Sequence, residues 1–278
     1  MATSTSLSGR LEGKVAIITG GASGIGESTA RLFVRHGAKI VIADIQDELG
    51  HSVCDNICST NQNAAVSYVH CDVTQDTDVR NAVNFAVKSH GKLDIMFNNA
   101  GISGDFFPSI LGTDNEAFKK VLEVNLYGAF LGAKYAAEVM IPARKGSILF
   151  TASVASVTNG QTPHAYSASK HGVVGLTKNL CAELGQYGIR VNCISPFGVV
   201  SPMLTKAFKK GKEEVEELVM ASANLKGVMV TAEDVAEAAV YLGSDEAKYV
   251  SGVNLVVDGG YSTTTPALKD NIKRLFDN

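Results

Sequence analysis

Apolar residues in this chain fall into two patterns. Short unbroken runs rich in β-branched residues alternate with longer stretches in which apolar residues recur every three or four positions. The first pattern reads as strands buried on both faces, the second as amphipathic helices. Strands are predicted at residues 14–19, 39–44, 65–70, 93–98, 147–153, 189–194 and 254–258. Helices are predicted at 27–36, 76–90, 116–139, 166–186 and 232–242. Right-handed crossovers between such strands imply an α/β fold: one doubly wound parallel sheet of seven strands, order 3-2-1-4-5-6-7, with helices on both faces. Ligands bind such sheets beyond the carboxyl ends of the strands, at the switch between strands one and four.

The first strand runs into Thr19-Gly20-Gly21-Ala22-Ser23-Gly24-Ile25-Gly26, and a helix follows. Strand, glycine turn and helix form the context of a dinucleotide site. Glycines let the backbone approach a pyrophosphate, and the helix N-terminus offers it free N–H groups. Gly20, Ser23, Gly24, Ile25 and Gly26 are therefore cofactor candidates. The second strand ends in Asp44, 24 residues after Gly20. A carboxylate there accepts hydrogen bonds from adenosine ribose hydroxyls and repels a 2′-phosphate. Neither Ser23 nor Ile45 adds a base, so the expected cofactor is NAD rather than NADP.

Tyr166 and Lys170 stand four residues apart, with Ser153 thirteen residues before the tyrosine. On a helix, i and i+4 share a face, so the ammonium lies near the phenol and favours its ionised form. A free tyrosine titrates near ~10, and bringing it to neutrality requires about 4 kcal/mol. Ser153 would hold a substrate oxygen while the proton leaves. By itself this pair is weak evidence, because tyrosine and lysine at this spacing mostly mark a solvated helix face.

Net charge is −3 with no basic cluster, which argues against nucleic acid as a partner. No run approaches the length of a membrane span. Residues 1–10 read as a disordered Ser/Thr-rich arm lacking the pattern of a targeting segment, which makes the cytosol the expected compartment. No linker divides residues 11–262, read as one catalytic domain, and 263–278 read as a tail. Cys54, Cys58, Cys71, Cys181 and Cys193 are taken as buried small hydrophobes, since no second pair or histidine cluster completes a metal site. His164 and His171 flank Tyr166 in sequence, but His171 points off the face shared by Tyr166 and Lys170.

These motifs and their order resemble the short-chain dehydrogenase/reductase family. Thr19–Gly26, Asp72, Asn98-Asn99-Ala100-Gly101, Asn125, Ser153, Tyr166, Lys170, Ser195-Pro196 and Val257-Asp258-Gly259-Gly260 all match, across about residues 10–262. Within the family the chain is most similar to a plant branch that oxidises lignan and terpenoid alcohols. The resemblance implies that Asp72 and the Val73 backbone hold the adenine, and that Asn99, Ala100 and Gly101 line the nicotinamide ribose wall. It also implies that Lys170 bonds the ribose, that Pro196, Val199 and Ser201 meet the nicotinamide end, and that Asn125 holds a relay water. A structural reading of Asn125, as an amide mending a helix kink, stands beside that role. Two departures from the family pattern occur: Phe197 replaces the usual glycine, and Ser201 the usual threonine.

Residues 202–230 occupy the place of a mobile lid in the family. Phe197, Met203, Leu204 and Phe208 are substrate-wall candidates there, joined by Ser153 and Tyr166, although apolar lid residues at helical spacing also fit a plain packing face. The expected activity is reversible NAD-dependent oxidation of a bulky apolar secondary alcohol to its ketone. An NADP-dependent ketoreductase acting on acyl-carrier substrates and a non-catalytic NAD sensor are the alternatives. The family usually forms tetramers. The predicted helices here carry apolar residues over more than one stripe (Leu122, Leu126, Ala129, Phe130, Ala133 and Ala137; Val173, Val174, Leu176, Leu180 and Leu184), so a homotetramer is expected.

Overall fold

Alternate residues of the first strand feed opposite sides of one sheet. Val15 and Ile17 enter one apolar cluster, Ala16 and Ile18 the other, and all four are fully buried. A strand covered on both faces has no polar side to show, which is why its sequence reads as an unbroken apolar run. Each such valine or isoleucine contributes about 1.5–3 kcal/mol through burial. The computed structural model describes residues 9–264 except 62, 105–108 and 161. Most of the expected arm and tail therefore lies outside the described residues.

The chain order is β1 (Val15–Thr19), α1 (Gly24–Arg35), β2 (Lys39–Asp44), α2 (Asp47–Thr60), β3 (Val66–His70), α3 (Asp76–His90), β4 (Ile95–Asn98) and α4 (Asn115–Leu122). There follow a π turn (Glu123–Tyr127), α5 (Gly128–Ala143), β5 (Gly146–Thr151), α6 (His164–Leu184), β6 (Ile189–Pro196), α7 (Pro202–Phe208), α8 (Lys212–Ser222), α9 (Ala232–Gly243) and β7 (Asn254–Val257). The seven strands form one sheet of order 3-2-1-4-5-6-7, every neighbouring pair parallel, as the sequence predicts. Helices α3, α5 and α6 cover one face, and α1, α2 and α9 the other.

Three features differ from the sequence expectation. Helix α2 was not predicted, because its apolar face is thin: Val53, Cys54 and Ile57 are its buried apolar residues. The single helix expected over residues 116–139 is interrupted by the π turn, which carries Asn125. In the lid, helices α7 and α8 occupy much of 202–230. Ser201 caps α7 by accepting from Leu204 N at 3.4 Å, and Glu214 closes the start of α8 by accepting from Gly211 N at 3.1 Å. The cysteine expectation also needs correction: Cys54, Cys71 and Cys193 are buried, but Cys58 is exposed and Cys181 half-buried. Cys58 falls on the solvent side of α2, where its one-turn spacing from Cys54 does not reach the sheet.

Candidate active site

The carboxyl ends of the strands open onto a cavity of about 780 Å³, within the range of small-molecule sites. The turn after β1 forms one end. Gly20 has φ +64°, and a Cβ there would come 2.8 Å from Ala100 Cα. Gly26 does not line the cavity. A Cβ on it would lie 2.1 Å from the Gly20 carbonyl oxygen, so this glycine lets α1 begin tight against the turn. Ser23, the N-cap of α1, makes no side-chain hydrogen bond into the first turn. The first-turn N–H groups thus remain uncapped where Gly20, Ser23, Gly24 and Ile25 line the cavity. This cradle fits a pyrophosphate.

Asp44 is 5% exposed, and its carboxylate is anchored by backbone donors: Ala22 N gives to Oδ2 at 2.9 Å and Gln46 N to Oδ1 at 3.0 Å. The same carboxylate therefore lines the cavity and ties β2 to the glycine turn. Tyr68 steadies this corner by donating to the Asp44 carbonyl at 2.6 Å. Asp72 accepts from the Thr74 N–H at 2.9 Å and hydroxyl at 2.8 Å. Burial pushes its carboxyl up, but the two Thr74 bonds outweigh that and hold it below its ordinary value. Ile45, Asp72 and Val73 line the cavity here.

Asn99 lines the middle, yet its amide is spent on the fold. Nδ2 gives to the Thr19 and Gly20 carbonyls at 3.1 and 3.2 Å, and Oδ1 accepts from the Thr151 hydroxyl at 2.9 Å. Its contribution to the cavity comes from shape. Ala100 and Gly101 continue the lining.

Ser153, Tyr166 and Lys170 meet at the other end. Ser153 follows β5 and accepts from Ala155 N at 3.2 Å, which fixes its side chain as α6 arrives. The Lys170 ammonium lies 5.5 Å from the Tyr166 ring centroid and gives to the Thr151 carbonyl at 2.7 Å. The expected lowering of the phenol does not emerge from these side chains alone. Burial pushes Tyr166 above its ordinary value, with the Ser153 hydrogen bond opposing it, while burial pulls Lys170 down from 10.5 to about 8. Tyr166 is half-buried and lines the cavity.

Asn125 does not line the cavity. It braces the loop behind Lys170: Oδ1 accepts from Ile102 N at 2.8 Å, and Nδ2 gives to the Ile102 carbonyl at 2.9 Å and to Ser169 Oγ at 3.1 Å. From within the π turn this side chain thus ties the loop after β4 to α6. His164 and His171 are exposed, and His171 Nδ1 sits 2.9 Å from the Ser167 carbonyl.

Pro196, Phe197, Val199 and Ser201 bring the end of β6 into the wall, and Met203, Leu204, Phe208 and Lys206 face the cavity from the lid. The sequence reading missed Val154, Thr162, Val219 and Tyr261 as lining residues. Tyr261 lies beyond the last strand, where no periodicity flags it. Its only signal is an aromatic residue directly after Asp258-Gly259-Gly260.

Burial of Lys170 carries a stability cost with a definite pH dependence. Below pH 8 both the folded and unfolded chains hold the proton, so the cost of burying the charge is fully present. Between about 8 and 10.5 the unfolded chain holds more protons than the folded one, and stability from this group rises with pH. Lys170→Met should therefore gain on the wild type by up to about 3 kcal/mol at pH 7 relative to pH 10.5, given the drop from 10.5 to about 8. Denaturant unfolding of both proteins from pH 7 to 10 reads this difference. A constant offset would show that the ammonium is not desolvated.

With the geometry in view, the similarities to known proteins fall into place. A family model described as enoyl-(acyl carrier protein) reductase matches residues 20–262. The chain is 60% identical over 274 residues to short chain aldehyde dehydrogenase 1 of Euphorbia lathyris, covering 96% of this chain and 94% of that one. It is 55% identical to secoisolariciresinol dehydrogenase of Forsythia intermedia, covering 95% of each. With borneol dehydrogenase, mitochondrial, of Lavandula x intermedia it shares 58% identity over 91% of this chain and 92% of that one. Among solved structures, levodione reductase superposes with a TM-score of 0.86 at 32% identity, covering 92% of this chain and all of that one. No helix among the described residues is long and apolar enough to cross a membrane.

Proposed function

Since the chain belongs to the short-chain dehydrogenase/reductase family, we propose that it oxidises a bulky apolar secondary alcohol of terpenoid or lignan type to the ketone, reversibly, with NAD as cofactor. The observation that carries this reading is one cavity with Asp44 and the glycine cradle at one end and Ser153, Tyr166 and Lys170 at the other. Nicotinamide, when bound, supplies the hydride acceptor. Tyr166 Oη takes the carbinol proton, and the nearby Lys170 ammonium favours the tyrosinate. The Ser153 hydroxyl holds the substrate oxygen as charge develops. Asn125 keeps the loop behind Lys170 in place. Asp44, with exposed Ile45 beside it and no base, favours NAD over NADP. The lid and Phe197 supply an apolar wall that suits a neutral ring alcohol.

A second reading is NADP-dependent reduction of a ketone on an acyl-carrier substrate, a substrate carrier that the family model's name also mentions, and Asp44 speaks against it. NADH formation at 340 nm with a panel of cyclic secondary alcohols tests the proposal. Turnover should be faster with NAD than with NADP. NADPH-dependent reduction of a β-ketoacyl thioester, without alcohol oxidation, would replace this reading by the second. NAD binding without any turnover would favour the sensor.

The proposed assembly is a homotetramer. Tyr127 and Phe130, rings stacked at 6.2 Å, are 45% and 41% exposed beside α5, while Val174, Leu176 and Leu180 on α6 are half-buried. Such a surface suits a symmetric neighbour. Light scattering at assay concentration should give four chains, and a fully active monomer would overturn the assembly. The proposed compartment is the cytosol, although the lavender relative's name places that protein in the mitochondrion.

A further inference from the structure

The turn after β7 does two jobs at once. Its Asp258 is 9% exposed and accepts from Gly260 N at 2.8 Å and Ser262 N at 2.7 Å, while Tyr261 N gives to the Asp258 carbonyl at 3.1 Å. A turn closed by three such bonds fixes the direction in which Tyr261 leaves the backbone. The tyrosine ring enters the cavity wall and packs on Phe197, ring centroids 4.5 Å apart and planes at 36°. Phe197 is itself pinned, its N–H giving to the Val257 carbonyl at 3.0 Å. The end of the lid rests on the same turn. Asn224 Nδ2 gives to the Gly259 carbonyl at 2.9 Å, and a Cβ on Gly259 would come 2.8 Å from Leu225 Cβ. One rigid element therefore sets both an aromatic face and the rim of the lid above it.

We infer that Tyr261, backed by Phe197, is the specificity-determining side chain of the substrate pocket, giving a flat fixed face that selects rigid polycyclic alcohols over open-chain alcohols of the same size. This rests on the reaction proposed above and deepens it. The physical reason is order. A rigid bicyclic ring meets a fixed aromatic face without losing torsional freedom, whereas an open chain must be straightened to cover the same surface. Tyr261 lies outside the proton-transfer group, so its removal should act on substrate binding rather than on the chemical step.

The test compares borneol with 2-decanol, two alcohols of equal carbon number, using the full-length enzyme with NAD. In Tyr261→Ala the KM for borneol should rise roughly 10- to 100-fold, with kcat and the value for 2-decanol within about threefold of wild type. Tyr261→Phe keeps the ring and should keep the preference for borneol over 2-decanol. If Tyr261→Ala is unfolded at the assay temperature by circular dichroism, Tyr261→Leu takes its place with the same expectation. Equal losses on both alcohols, or none on borneol, would overturn the assignment. Should wild type oxidise neither alcohol, the proposed reaction fails separately. The wall is then read from camphor binding at saturating NADH: a tenfold weakening in Tyr261→Ala supports it, and unchanged affinity overturns it.

Discussion

Replacing Tyr166 by phenylalanine is expected to cut alcohol oxidation by roughly 10³- to 10⁴-fold, the scale of a lost general base, while leaving NAD affinity close to that of wild type. The ring keeps its place beside Lys170, and the proposed adenosine site, where Asp44 is held by Ala22 N and Gln46 N, is left untouched. Only the hydroxyl is lost. Burial pushes this phenol up, so its ionised fraction grows as pH rises. Wild-type oxidation should therefore climb from neutral toward alkaline pH, and the residual rate of Tyr166→Phe should not. Steady-state rates across that range, with cofactor binding followed by fluorescence, check both parts. A variant keeping a tenth of the wild-type rate would remove Tyr166 as the base.

The second large effect is expected at Ser153. Ser153→Ala should lower kcat by roughly 10²- to 10³-fold, the cost of one donor to a developing oxyanion, with a much smaller change in KM. The structural loss is modest, because the Ser153 side chain holds only the Ala155 N–H, at 3.2 Å, and the Tyr166 hydroxyl in a well-buried turn. Unfolding should thus move little, which separates a catalytic effect from a packing one. An effect confined to KM would make Ser153 a binding residue and leave the oxyanion to Tyr166 alone.

Sequence and structure divide the evidence for these residues unevenly. The strands were legible because a strand covered on both faces must be apolar through its middle, as β1, β2 and β4 are (Ile17, Ile42 and Phe97 are fully buried), and the hand of the crossovers then fixed their order. The glycine turn was legible for a local reason: Gly20 and Gly24 adopt positive φ, and Gly26 has no room for a Cβ. Helix α2 was not, since much of it faces water and its few apolar contacts give little period to read.

By itself, then, the sequence determined the strands, their order, the glycine turn and which residues to propose for proton transfer, all of which depend on local backbone conformation, on the hand of the crossovers or on spacing along one helix. Tertiary structure alone decided what those residues experience. Burial in the cleft, not the i+4 spacing, sets the direction of the Tyr166 and Lys170 shifts. The amides of Asn99 and Asn125 are committed to backbone groups on other elements. Tyr261 reaches the pocket because β7 lies beside β6 in the sheet, 64 residues after Phe197 in the chain. Local patterns carry propensity and period. Desolvation and contacts between distant segments exist only once the chain has closed on itself.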